Sequence, residues 1–83
     1  MRQMTKGNIK LNVVAHVMLR NFWEYYITEL PDETGIGMAL VMGHCTEYGT
    51  IAQDDIENYA ISYTTQLDDV MPADGYSWEN DNV

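Results

Sequence analysis

The sequence predicts an α+β fold: a small antiparallel β-sheet of about three strands with one or two helices packed on one face. Three observations predict it. Residues 9–19 and 22–30 are rich in β-branched and aromatic side chains that repeat at a period of two. Residues 31–35, Pro-Asp-Glu-Thr-Gly, carry turn chemistry, because Pro presets one backbone angle and Gly supplies another. After position 53, carboxylates precede apolar residues at spacings of three and four, which marks the start of a helix.

Each element follows in order. Within 9–19, a strand places Ile9, Leu11, Val13, Ala15 and Val17 on one face, whereas a helix there has no clear polar stripe. A helix over 9–28 is the competing reading. Arg20-Asn21 fits a tight turn, since Asn tolerates left-handed backbone angles. In 22–30, Trp23, Tyr25 and Ile27 are expected to face inward, leaving Phe22, Glu24, Tyr26 and Thr28 as a half-polar face for water or a partner. The third strand, 36–43, has Ile36, Met38, Leu40 and Met42 on one side and the small Gly37, Ala39, Val41 and Gly43 on the other. Residues 43–49 read as an irregular loop and 50–52 as a short extended piece. A helix begins at Gln53 or Asp54, with Asp54, Asp55 and Glu57 beside its first amides and Ile56, Tyr59 and Ala60 on its apolar face. It extends to about Leu67; Ser62, Thr64 and Thr65 are poor helix formers and leave a strand as the alternative. The folded body is thus expected over 1–67. Residues 68–83 read as an acidic tail, broken at Pro72 and Asp74-Gly75, which Tyr76 and Trp78 are placed to dock.

Eighty-three residues allow one modest core, and a hydrophobic fraction of 46% suits a folded chain despite a net charge of -9. All four basic residues, Arg2, Lys6, Lys10 and Arg20, precede position 21, while all thirteen acidic residues lie at position 24 or later. From Glu24 onward the chain carries no Lys or Arg, so beyond Glu24, four residues from Arg20, the carboxylates have no basic neighbour close in sequence. Such a field repels nucleic acid and acidic membranes and attracts basic surfaces at rates that fall with salt. Direct nucleic-acid and membrane binding are therefore disfavoured. Without an apolar signal-like stretch or a run near the ~20 residues of a membrane span, the expected location is cytoplasmic. Cys45 is the single cysteine, so no internal disulfide supports the small core, and a homodimer is a natural alternative.

The run Trp23-Glu24-Tyr25-Tyr26-Ile27-Thr28-Glu29-Leu30, the acidic turn, Ala39-Leu40-Val41, and Glu47-Tyr48-Gly49-Thr50-Ile51 before Asp54-Asp55-Ile56 carry a resemblance. This pattern resembles part of an uncharacterised domain family carried on plasmids, phages and other mobile elements. The chain departs from that pattern at Tyr48 and at Ala52-Gln53. The resemblance implies a mobile-element setting and, in that case, the cytosol of a host; it implies no activity and no catalytic residues.

Chemistry-bearing residues are sparse. His44, Cys45 and Glu47, with His16 elsewhere, are the only candidates for a metal or a nucleophile, and a zinc site wants four Cys or His ligands at recognisable spacing. No metal, no cofactor and no enzymatic activity are expected. Asp54-Asp55 and Asp68-Asp69 do not follow a calcium-loop pattern. Gly35, Gly37 and Gly43 lack the Gly-Lys-Ser/Thr sequel of a phosphate-binding loop.

Six Tyr, two Trp and one Phe exceed what so small a core needs, and aromatics beside acids recur at protein interfaces. The expected partner-binding residues are Glu24, Tyr26, Glu29, Asp32, Glu33, Glu47, Asp54, Asp55, Glu57, Asp68 and Asp69. The function expected first is a small acidic inhibitor of a host protein whose own surface is basic and binds nucleic acid, with DNA mimicry as one form of it. A domain about 30 Å across would need roughly eighteen charges to imitate duplex DNA, so a dimer serves a mimic better than a monomer. The alternative is a protein-interaction or assembly module that does not mimic DNA and works through an exposed aromatic strand or helix face.

Overall fold

The computed structural model describes residues 1–79. Eight strands, one α-helix and a short 3-10 turn follow in chain order: β1 Arg2–Lys6, β2 Ile9–Val13, β3 Ala15–Leu19, β4 Glu24–Glu29, β5 Ile36–Met42, β6 Thr46–Ala52, α1 Gln53–Tyr59, β7 Ala60–Thr64, the 3-10 turn Leu67–Asp69, and β8 Ser77–Trp78. They form two antiparallel sheets, ordered β2-β1-β8 and β6-β5-β4-β3-β7. The molecule is mostly β. It has three layers: helix α1, the five-stranded sheet, and the three-stranded sheet with the C-terminal segment.

This replaces the expected single sheet of about three strands. Residues 9–19 are extended throughout, but the run changes sheets at Val14, whose amide donates to the Ile27 carbonyl at 2.7 Å. The change of sheet puts Val13 in one apolar cluster and Ala15 and Val17 in the other. No helix covers 9–28. Arg2–Lys6 adds a strand that the sequence reading lacked, folded onto β2 through the two-residue turn Gly7-Asn8, where Gly7 takes φ 57°. The stretch expected as a loop before position 50 is already strand from Thr46, paired with β5 along its length. Helix α1 stops at Tyr59 because Ala60 turns extended and the β-branched and aromatic residues after it pair with β3.

The expected hairpin of β4 and β5 is present, with register Tyr25↔Val41 and Tyr26↔Leu40. Its turn closes by Gly35 N–H to Asp32 C=O at 2.9 Å, with Gly35 at φ 83°. The Asp32 carboxylate also accepts the Thr34 amide at 2.8 Å, which reinforces the turn from its own side chain.

One core lies on each face of the large sheet. Under α1 are Ala15, Val17, Leu19, Tyr25, Ile27, Ala39, Val41 and Ile51, with Ile56 packed on them from the helix. The small-residue face of β5 thus receives the helix side of the molecule, and a side chain at Gly43 would strike the Trp23 ring. On the opposite face, Met4, Val13, Tyr26, Leu40, Leu67 and Ala73 form the second cluster. Leu67, at the end of the expected body, joins it together with Ala73 from the segment expected as an acidic tail, and Val70 packs against it beside Tyr76 and Trp78, the two residues expected to dock that segment. Trp78 pairs with Met4 in β1 and donates its indole N–H to the Val70 carbonyl at 2.7 Å. The final four positions of the expected tail, 80–83, lie outside the described residues.

Tyr26 is the largest fully buried side chain, and its hydroxyl donates to the Met71 carbonyl at 2.8 Å. Tyr26→Phe removes only that bond and is expected to lower stability by about 1 kcal/mol. Tyr26→Ala also opens a cavity and is expected to lower it by about 3–5 kcal/mol. Urea unfolding checks both; equally small losses would contradict the burial of this ring.

Candidate protein-interaction surface

The turn between β3 and β4 is closed tightly. Phe22 N–H donates to the Leu19 carbonyl at 2.9 Å, Leu19 N–H to the Trp23 carbonyl at 3.0 Å, and the Asn21 side chain accepts the Trp23 amide at 3.0 Å. Such a three-residue loop needs a left-handed residue at its last position, where Gly is favoured. Phe22 occupies it at φ 68° with 73% of its surface exposed. A bulky residue in this conformation is strained, and the ring gains no burial in return.

Beside this turn lies an open cleft of about 310 Å³ lined by Leu19, Arg20, Asn21, Trp23, Tyr25, Asp55 and Tyr59. Tyr25 and Leu19 belong to the core beneath it, and Tyr59 is the last helix residue. Burial, and then the nearby Asp55 carboxylate, push the Tyr25 phenol above its ordinary value, so it stands as a neutral hydrogen-bond donor. The aromatic surface continues past Tyr59, 49% exposed, onto β7, where Ile61 is 53% and Tyr63 47% exposed. The two-turn helix is too short to cover this edge of a five-stranded sheet.

At the other end of α1, the Gln53 amide donates to the Gly35 carbonyl at 2.8 Å. This bond joins the helix start to the β4–β5 turn. It gathers exposed Asp32, Glu33 and Asp54 at one rim of the sheet, with Glu29 at the end of β4 and Glu57 one turn along the helix. Asp55 sits instead in the cleft, and Glu47 is exposed on the outer strand β6. Asp68 and Asp69 lie away from these, in the C-terminal layer.

Two of the expected partner-binding residues are not free for that role. Tyr26 is buried in the second core under the C-terminal segment, which corrects the expectation of a half-polar open face on β4. Glu24 accepts a 2.8 Å hydrogen bond from buried His16, whose ring also packs edge-on against Tyr26. Polar groups on that face are satisfied pairwise, so its mixed composition reads as solvent-facing while being internal. Phe22 was expected only as part of that open face, and Arg20, Asn21, Ile61 and Tyr63 were absent from the expected set. A signal for the last two exists: residues 58–67 hold no charged side chain in an otherwise acidic half of the chain.

Among the described residues, the acid paired with an Arg or Lys side chain is Asp68, 3.6 Å from Arg2. Arg2 also lies over the Trp78 ring and Lys6 over the Tyr76 ring, so these two cations are engaged within the C-terminal layer. No group of three or more His, Cys, Asp or Glu among the described residues is arranged to hold a metal ion. Cys45 is exposed at the β5–β6 turn. No helix among them is long and apolar enough to cross a membrane.

The chain matches no family model, no curated protein and no solved structure.

Two titrations test this electrostatic picture. Hydrogen bonds from the Thr34 hydroxyl and then its amide hold the Asp32 carboxyl below its ordinary value. The stability they lend is therefore present above that value and is lost as pH falls through the lowered one. In Thr34→Val, NMR titration should find the Asp32 carboxyl moved up toward its ordinary range; an unchanged value would contradict the role of the hydroxyl. Burial, followed by Glu24 and Asp74, raises the Tyr26 phenol above its ordinary 10.0. The fold keeps its neutral form, so that contribution is intact below pH 10 and declines as pH rises further. Ultraviolet titration should find Tyr26 ionising after the exposed tyrosines, and Tyr26→Phe should remove only the latest phase.

Proposed function

We propose that this chain is a small acidic macromolecule-binding protein that antagonises a nucleic-acid-binding protein by occupying its basic surface. The observation that carries the reading is the uncompensated rim: Asp32, Glu33 and Asp54 flank the Gln53–Gly35 bond that joins α1 to the β4–β5 turn, Glu29 and Glu57 lie on the adjoining elements, and none of the five has an Arg or Lys partner among the described residues. Carboxylates arranged so repel one another, and a basic partner relieves that repulsion while its approach is steered by the field. The resemblance to domains of mobile elements fits an anti-defence role in the cytosol of a host.

DNA mimicry is the stronger form of this proposal. Along the 38 Å long axis of the molecule, duplex DNA carries roughly 22 charges, against thirteen carboxylates on one copy. A single copy imitates part of that length, and a pair of copies supplies enough.

A second reading, an interaction module that does not mimic DNA, is favoured by strained and exposed Phe22 beside the Tyr59 cleft. Aromatic anchors next to a pocket are typical centres of protein recognition.

The two readings separate in one experiment. The tagged chain is used to capture host proteins, with elution by salt and competition by duplex DNA. The first reading expects a nucleic-acid-binding protein that salt releases and DNA displaces, with roughly tenfold weaker retention by Asp32→Asn/Glu33→Gln/Asp54→Asn. Retention that is indifferent to salt and DNA, survives this triple change and is lost in Phe22→Gly would overturn it for the second. Phe22→Gly should itself raise stability by up to about 1 kcal/mol, since Gly takes the left-handed position without strain.

A further inference from the structure

We infer that two copies of this chain associate through β7, pairing antiparallel about a two-fold axis at Ser62 so that two five-stranded sheets become one. The inference does not rest on the acidic-antagonist reading, because it concerns a different edge of the molecule.

Among the described residues, strand β7 is bonded on one side only, to β3, and its outer side ends the sheet. Outer strands are usually blunted by charge, brevity, Pro or a cover. The other three sheet edges follow that rule: β2 carries Lys10, β6 carries Glu47 and leads into the acidic helix, and β8 has two residues. Strand β7, Ala-Ile-Ser-Tyr-Thr, carries no charge. On a chain of net charge -9, this is where two identical surfaces meet without opposing carboxylates on the strands themselves.

The pairing is also complementary to itself. With Ser62 opposite Ser62, Ile61 of each copy lies across from Tyr63 of the other, giving two aromatic and β-branched cross-strand pairs. Tyr63 stands opposite Val17 in the β3 register and so lies on the α1 side of the sheet, half exposed past the end of the short helix, while exposed Ile61 sits at the bulge between the Ser62 and Ala60 pairs. The strand ends differ in charge. At the Ala60 end, the Arg20 amide donates to the Tyr59 carbonyl at 2.9 Å, and the Arg20 side chain stands beside the Asp55 cleft. Beyond the Thr64 end come exposed Asp68 and Asp69, of which Asp69 has no basic partner among the described residues. Antiparallel pairing brings the Arg20 end of each copy to the Asp68-Asp69 end of the other, at both ends of the joined strands.

Five paired residues form a small interface, and a dissociation constant on the order of 10–100 μM is expected. Sedimentation equilibrium over concentrations spanning that range should find a transition from the 9.5 kDa chain to twice that mass. Ile61→Lys, at an exposed position that leaves the cores intact, should weaken association roughly tenfold or more while circular dichroism stays that of the folded chain. Arg20→Asp should weaken it as well, and the exchange Arg20→Asp/Asp69→Arg should recover it. Lys10→Glu, on the far sheet, should leave it unchanged. A monomer at every concentration, undiminished association in Ile61→Lys, or no recovery in the exchanged pair would each overturn the inference.

Discussion

The Tyr26 hydroxyl reaches the Met71 carbonyl across 45 residues of sequence, at the centre of the second core. Because side chains alternate along a strand, β4 sends Tyr25 and Ile27 toward the helix and Tyr26 toward the three-stranded sheet. A strand buried on both faces requires two covers, and a helix of seven residues can be only one of them. The second cover is assembled from both ends of the chain: β1 and β2 from the N-terminus, residues 67–78 from the C-terminus. Thioether sulfurs of Met4 and Met42 meet the amides of Ala73 and Asp74 at 3.4 and 3.3 Å, which helps place an irregular segment where a sheet ladder is absent.

This arrangement decides what is left outside. Arg2 and Lys6 are drawn onto Trp78 and Tyr76 as the C-terminal segment closes, so half of the basic residues are committed to holding that layer. Among the described residues, the carboxylates of the helix and the β4–β5 turn have no Arg or Lys partner, and no strand pairs with the outer side of β7. Acidic rim and aromatic edge lie at opposite ends of α1, the first fixed by the Gln53–Gly35 bond and the second by the short reach of the helix. The acidic rim, proposed to meet a basic partner, and the β7 edge, inferred to pair with a second copy, are therefore separate parts of one small domain.

The local elements with strong chemistry were legible in the sequence. The aromatic strand expected over 22–30 is β4, that expected over 36–43 is β5, and the Asp32–Gly35 turn and the helix start at Gln53 follow from Asp, Gly and carboxylate positions. What escaped was long-range. Residues 9–19 read as one strand because nothing local marks Val14 as the point where the chain changes sheets. Glu24 and Thr28 made the Tyr26 face look wet, although Glu24 is paired with buried His16 and only Thr28, bonded to the exposed Tyr48 hydroxyl, stands at the surface. The segment after Leu67 read as a tail docked by Tyr76 and Trp78 because Asp68, Asp69 and Asp74 outweigh Val70 and Ala73, which pack into the second core as well. For the candidate surface, the acidic rim was readable from composition, whereas strained Phe22 and the bare edge at β7 depend on a turn geometry and a strand order that pairing alone reveals.

Residues 67–78 close the second core as a layer of the folded body. Hydrogen exchange of the folded chain tests this most directly, since protection reports the opening needed to expose each amide. The amides of Val70, Tyr76 and Glu79, which donate to Leu67, Ala73 and Gln3, should exchange far more slowly than those of an unstructured chain. Their protection should collapse in Tyr26→Ala while β5 and β6 stay protected. Exchange at the unstructured rate in the unaltered chain, with β4 still protected, would contradict such a layer.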